Sequence, residues 1–231
     1  ASLYIKGETR IIEPAPCRDH TERMLRGFGY PVSINGSEVK ITGGGRLQAC
    51  HIDVPADISS AAFFLVGASI CPGADLILKH VGINPTRIGV LNILKMMGAN
   101  VELLREYEAG GEPVADIRVR YAPLRGIQIP ENQVPLAIDE FPALFIAAAC
   151  AEGETVLSGA EELRVKESDR IQVMADGLGI LGVKYEVKPD GIVITGKGSD
   201  GKLGGGEINS HGDHRIAMAF TMAALRATSP L

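Results

Sequence analysis

Three segments of the chain are rich in apolar and small residues, and each follows an aspartate. They are ISSAAFFLVGASI from Ile58, EFPALFIAAAC from Glu140 and HRIAMAFTMAALR from His214. Stretches of this length without alternation predict helices, and a helix that is apolar nearly all round is buried. Asp57, Asp139 and Asp213 stand at the three starts, 82 and 74 residues apart. The pattern beyond each of the first two helices also recurs. A glycine break leads into a short strand (Asp75–Leu78; Thr155–Leu157). A second helix comes next (Asn84-Pro85-Thr86 to Met97; Lys166–Leu181), stopped by Gly98 or Gly182. Two strands close each unit (Val101–Leu104 with Ile117–Tyr121; Val183–Val187 with Ile192–Thr195).

This internal repeat predicts an α+β fold of repeated helix-and-sheet units. Three buried helices lie parallel at the core, with sheets and amphipathic helices outside. Their N-termini then open on one face, where three positive helix-dipole ends suit phosphates and carboxylates.

The first fifty residues have a different pattern. Leu3–Ile12 reads as a short strand pair turning at Gly7. A helix opens at Asp19, with Glu22 as its capping-box partner, and runs to about Phe28. A hairpin comes next, Pro31–Ile34 with Val39–Thr42, around Asn35-Gly36. Gly43-Gly44-Gly45 is the most linker-like stretch, so a domain boundary is expected between it and His51. Residues 1–50 are thereby assigned to the tail of one domain and 51–231 to most of a second.

Composition narrows the classes. Hydrophobic residues make up 45% and charged residues 22%, an ordinary globular mix. The net charge of -5 and the absence of Trp argue against a nucleic-acid surface or a base-stacking platform. The longest apolar run, near Phe141–Ala151, is too short for a membrane span, and no signal peptide is visible. Cys17, Cys50, Cys71 and Cys150 show no CxxC spacing. Three of them sit among apolar or small residues and read as reduced core cysteines of a cytoplasmic protein. The chain starts without Met in a strand-like run and stops just after a helical one, so a piece of a longer protein is expected.

The candidate chemistry is cationic. In ELRVKESDRI, Lys166 and Arg170 lie four residues apart and would share one helix face, with Glu167 between them. Glu167 either balances their charge in a solvated helix start or moves a proton where the cations hold an anionic substrate. Asp139 is either a plain N-cap, a reading open to Asp57 as well, or an acid/base. In HGDHR, His211 and His214 lack a third ligand for a metal site, and the triplet reads better as orienting Arg215 towards an anion. Asn84-Pro85-Thr86-Arg87 is either a binding loop or a helix start with Pro near N1, and is read as the latter.

Taken in order, CRDHTERML, VPADISSAAFFLVGA, GINPTRIG, IDEFPALFIAAACAEGET, ELRVKESDRI and HGDHRIAMAF resemble the 5-enolpyruvylshikimate-3-phosphate synthase family along nearly the whole chain. The resemblance implies an enolpyruvyl transferase inside-out α/β barrel, with the active site in a cleft between two domains. It implies transfer of the enolpyruvyl group of phosphoenolpyruvate to the 5-hydroxyl of shikimate 3-phosphate, with release of phosphate, on the route to chorismate and the aromatic amino acids. No metal or organic cofactor is implied, and a monomer is expected.

By the same resemblance Asp139 contacts the shikimate hydroxyls and acts as acid/base, and Glu167 is the second proton-transfer group, near the enolpyruvyl carbon. Lys166 bridges the substrates, Arg170 and Arg215 bind phosphoenolpyruvate, and Arg18 contacts the 3-phosphate from the other domain. The family's early-chain substrate-binding residues have no counterpart here. The chain by itself is therefore expected to show little or no turnover without the missing N-terminal part. The sister transferase that uses UDP-N-acetylglucosamine is the competing enzyme reading. It relies on a reactive loop cysteine, a setting that only Cys17, beside Arg18, approaches. A non-catalytic scaffold on the same repeats is the other alternative. It gives no reason to collect Asp139, Lys166, Glu167, Arg170 and Arg215 at helix starts on one face.

Overall fold

Strand–helix–hairpin units alternate with buried helices along the chain. A computed structural model describes residues 1–13 and 17–231. The first unit holds β1 (Gly7–Ile12), α1 (His20–Gly27), β2 (Ser33–Asn35) and β3 (Glu38–Gly43). Helix α2 (Ile58–Ile70) leads into β4 (Asp75–Gly82), α3 (Gly89–Met96), β5 (Asn100–Ala109) and β6 (Glu112–Arg120). Helix α4 (Phe141–Ala149) leads into β7 (Glu154–Leu157), α5 (Arg170–Ile180), β8 (Lys184–Lys188) and β9 (Gly191–Thr195). Helix α6 (His214–Ala223) comes last, extended by a 3-10 turn over Ala224–Arg226.

Each unit builds a three-stranded antiparallel sheet in the order first, third, second strand. The repeat therefore reaches into the first fifty residues, where the hydrophobic pattern did not reveal it. Helix α1 has no buried residue, and among the described residues no buried apolar helix precedes it in the chain to announce the unit.

Helices α2, α4 and α6 run parallel, as their end contacts require. At the starts, the Ser59 hydroxyl of α2 donates to the Glu140 carboxylate at the head of α4. Arg215 of α6 donates to the carbonyl of Asp139 at 2.9 Å. At the other ends, the buried Arg226 just beyond α6 donates to the carbonyl of Ile70, the last residue of α2, at 3.0 Å. Every residue of α4 is buried. Complete burial of Phe141, Phe145, Leu144 and Ile146 contributes about 1.5–3 kcal/mol each, which makes α4 the axle of this core.

One large apolar cluster runs from Ile58 to Ala223. A separate small one joins Tyr30, Val32, Val39 and Ile41. Helix α5 reaches α6 through a glycine, since a Cβ at Gly177 would lie 2.2 Å from the Phe220 ring. Gly177→Ala is expected to cost about 1–3 kcal/mol by overpacking, read as a lower urea midpoint with an unchanged slope. An unchanged midpoint would show that the ring moves aside freely.

Several sequence expectations are corrected. Leu3–Ile12 is not a strand pair, because Ser2–Tyr4 form a 3-10 turn and only Gly7–Ile12 pair with β3. The helix expected from Asn84 begins at Gly89, after a turn held by Asn84 itself, whose Oδ1 accepts from Thr86 N at 2.9 Å. The helix expected from Lys166 begins at Arg170. Lys166 instead ends a 3-10 turn, Glu161–Val165, in extended conformation. Arg164 shapes this loop by donating to the carbonyls of Pro189 and Lys188 and to Asp169, the N-cap of α5. The cysteines are not mainly core residues. Cys150 is buried, its thiol pushed up to about 11 by desolvation, but Cys17 and Cys50 are exposed and Cys71 is intermediate. No helix among the described residues is long and apolar enough to cross a membrane.

Candidate active site

The three repeat aspartates do different things. Asp57 caps α2, accepting from Ser59 N and Ser60 N. Asp213 caps α6, accepting from Arg215 N at 2.9 Å. Asp139 caps nothing, because the N-cap of α4 is Glu140 and makes no side-chain capping bond. The Asp139 carboxylate is thus free of its helix, and four cations surround it. Arg18 donates to Oδ2 at 2.8 Å. Arg215 Nη2 lies 3.8 Å from Oδ2, while Arg170 Nη1 and Lys166 Nζ lie 3.6 and 3.8 Å from Oδ1. Partial burial works against ionisation of Asp139. The Arg18 hydrogen bond and the charges of Arg215, Arg18 and Lys166 outweigh it and hold the carboxyl below its usual range.

All six residues singled out in the sequence therefore meet in one place, with Glu167 at its edge. Its half-exposed carboxylate accepts from Arg170 Nη2 at 2.5 Å. Lys166 and Arg170 do not share a helix face as the spacing suggested. The loop before α5 brings them together, with Glu162 pairing the Lys166 ammonium from outside.

Arg170 is the best-fixed member. Its side chain is 1% exposed and Asp213, fully buried, accepts from its Nε at 2.8 Å. Asp213 also accepts from Ser168 at 3.0 Å. Burial opposes ionisation of Asp213, but the bonds from Arg170 and from Arg215 N, with the Arg170 charge, hold its carboxyl low. One end of the Arg170 guanidinium is thereby clamped. The other end, Nη1, is buried without a hydrogen-bond partner and faces Asp139. A buried unpaired guanidinium nitrogen is costly unless an oxygen ligand meets it. Chemically the cluster is a cradle for an oxyanion, with a carboxylate at its centre able to take or return a hydroxyl proton.

Two features were missed in the sequence. The first lies beneath the cradle, where Glu140, 1% exposed, bonds the Ser59 hydroxyl and lies 4.0 Å from Arg87 Nη2. Arg87 also donates to Ser59 and, at 3.2 Å, to Asp57. Burial pushes the Glu140 carboxyl up, against the opposing pull of the Ser59 hydroxyl and the Arg87 charge. A raised carboxyl favours folding when protonated, and that benefit is lost as pH rises through its folded value. Glu140→Gln is therefore expected to raise the unfolding temperature near neutral pH. The advantage should fade as pH falls below the ordinary value of 4.5. An unchanged difference between parent and variant at both pH values would contradict it.

The second is the set Asp19, His20, Asn84 and Glu112, which joins α1 to the turn after β4 and the start of β6. The expected capping box is absent, because Asp19 makes no capping bond. Its oxygens accept instead from Arg23 at 2.9 Å and Asn84 at 2.6 Å. Nothing local in the sequence marks this set, whose members the fold alone brings together. Among the described residues, no group of three or more His, Cys, Asp or Glu is arranged to hold a metal ion.

Repeated helix-and-sheet units around parallel buried helices place the chain among folds of the enolpyruvyl transferase kind. The enolpyruvyl transferase NikO from Streptomyces tendae shares the fold at TM-score 0.73 with 17% identity, over 98% of this chain and 50% of that one. The family model of EPSP synthase (3-phosphoshikimate 1-carboxyvinyltransferase) matches residues 1–231, and the chain belongs to that family. The 3-phosphoshikimate 1-carboxyvinyltransferase of Alkalilimnicola ehrlichii is 67% identical over 100% of this chain and 51% of its own length. That of Methylococcus capsulatus is 66% identical over 100% and 52%. The EPSP synthase structure from Acinetobacter baumannii superimposes at TM-score 0.95 with 61% identity, over 99% of this chain and 52% of that one. The chain spans about half the length of the curated relatives it matches.

Proposed function

We propose that this chain supplies part of an active site that transfers the enolpyruvyl group of phosphoenolpyruvate to the 5-hydroxyl of shikimate 3-phosphate, releasing phosphate. The observation that carries the reading is the convergence of Arg18, Lys166, Arg170 and Arg215 on the uncapped Asp139. Both substrates are anions, and fixed guanidinium groups are the favoured partners for phosphate and carboxylate oxygens. In this reading the 5-hydroxyl oxygen bonds to the central carbon of phosphoenolpyruvate as the hydroxyl loses its proton and the methylene carbon gains one. Loss of a methyl proton then re-forms the double bond as the carbon–oxygen bond to phosphate breaks.

Asp139 serves the hydroxyl end and Glu167 the carbon end. Arg170 and Arg215 hold phosphoenolpyruvate, Lys166 lies between the substrates and Arg18 takes the 3-phosphate. Residues 1–50 belong to one domain and 51–231 to another, in line with their separate apolar clusters. The same reading takes the enzyme as a cytoplasmic monomer that works with neither metal nor organic cofactor.

The test is phosphate release from phosphoenolpyruvate by a full-length enzyme carrying this sequence. Release with shikimate 3-phosphate as acceptor supports the reading. Release only with UDP-N-acetylglucosamine assigns the sister reaction. Silence with both from a folded protein overturns it.

A further inference from the structure

We propose that Asn84 is a positioning residue, whose buried side-chain amide holds the start of α1 so that Arg18 reaches Asp139. Arg18 and Asp139 are far apart in sequence, and the segment bearing Arg18 has no buried helical face with which to dock. Docking instead runs through polar groups, and Asn84 is their hub. It is 2% exposed, and its amide makes four close hydrogen bonds, with His20 Nδ1 a looser neighbour of Nδ2 at 3.5 Å. Oδ1 accepts from Thr86 N at 2.9 Å and from the Thr86 hydroxyl at 2.7 Å. Nδ2 donates to Asp19 at 2.6 Å and to Glu112 at 2.9 Å. Two donors and two acceptor sites are all that a side-chain amide has. The orientation is fixed as well, because the side facing Thr86 must accept and the side facing two carboxylates must donate.

Arg18 is reached through its neighbour in the chain. Both oxygens of Asp19 are engaged, one by Asn84 and the other by Arg23. Pinning Asp19 fixes the backbone from which the Arg18 side chain departs towards Asp139. His20 bonds Glu112 at 2.7 Å, so Glu112 ties the same helix turn to β6. The Asn84 amide also separates two carboxylates, Asp19 and Glu112, that would otherwise repel across the junction. Alanine in its place removes both the tether and that bridge.

The inference rests on the proposed function only for the purpose Arg18 serves, so its test reads no turnover. The 231-residue chain is titrated and the Asp139 carboxyl followed by NMR in the parent, Arg18→Ala, Asn84→Ala and the double variant. Asn84→Ala is expected to raise the Asp139 pKa in the same direction as Arg18→Ala, with little further rise in the double variant. Lys166, Arg170, Arg215 and the neighbouring Glu140 remain in place throughout, so the shift isolates Arg18. A merely structural Asn84 would lower stability without this coupling. Should Asn84→Ala fail to fold, Asp19→Ala cuts the same tether from the half-exposed side and is expected to give the same shift. A folded Asn84→Ala or Asp19→Ala chain in which Asp139 titrates as in the parent overturns the proposal. So does a shift that adds in full to that of Arg18→Ala. A full-length enzyme inactive towards shikimate 3-phosphate would leave this result untouched.

Discussion

Asp213→Ala is expected to destabilise the protein by about 3–5 kcal/mol, the usual consequence of stranding one member of a buried ion pair. Arg170 is 1% exposed and its Nε bond goes to Asp213. Without that carboxylate a guanidinium stays buried with its other end already unpaired. The cap of α6 and the anchor of Ser168 are lost in the same step. For a chain of this length the unfolding temperature should fall by on the order of 10 °C. The pH dependence has a definite sign. The Asp213 carboxyl is held below its ordinary value of 3.8 in the folded state, so its stabilisation is complete above that value and disappears as pH falls through the folded one. Parent and variant should converge in acid. A loss below about 1 kcal/mol near neutral pH would show that water reaches the pair.

Asp139→Ala separates function from stability in the opposite way. In a full-length enzyme kcat is expected to fall on the order of 10²–10⁴-fold, the contribution of a positioned acid/base. No helix cap is lost, since Asp139 caps none. Four cations are left facing one another, so the variant should bind inorganic phosphate more tightly than the parent and gain more thermal stability from it. Isothermal titration with phosphate, alongside steady-state kinetics, checks both halves. Retained kcat would remove Asp139 from proton transfer, and unchanged phosphate affinity would show that the cations do not act on one anion.

The buried helices and their parallel arrangement were legible because burial leaves a direct trace, an apolar segment repeated at a near-constant interval. The sheets were legible where alternation and glycine stops agreed, although β5 and β6 run longer than the apolar runs that announced them. Lys166 and Arg170 were rightly paired for the wrong local reason. Helical spacing suggested their proximity, whereas a loop pinned by Arg164 and a shared approach to Asp139 bring it about. Asp139 could not be told from a cap in sequence, because the shift of the N-cap to Glu140 is a matter of one residue of backbone. The knot around Asn84 left no trace, since its members come from separate segments and hydrogen-bond geometry has no period. Charge patterning alone left the roles of the charged residues open, and the resemblance to a family offered the roles proposed for them.

The uncapped α4 sets one corner of the repeat apart from the other two. Among the three like corners of the repeat, two aspartates hold their helices and the third does not. The missing cap is tolerable, because every residue of α4 is buried and the helix is held on all sides. The Asp139 side chain is left to face four cations, while its two counterparts are spent on holding helix starts. The same residue type at like positions of the repeat thus meets two different surroundings. Substitutions at Asp57 and Asp213 should therefore lower the yield of folded protein, and those at Asp139 should spare it.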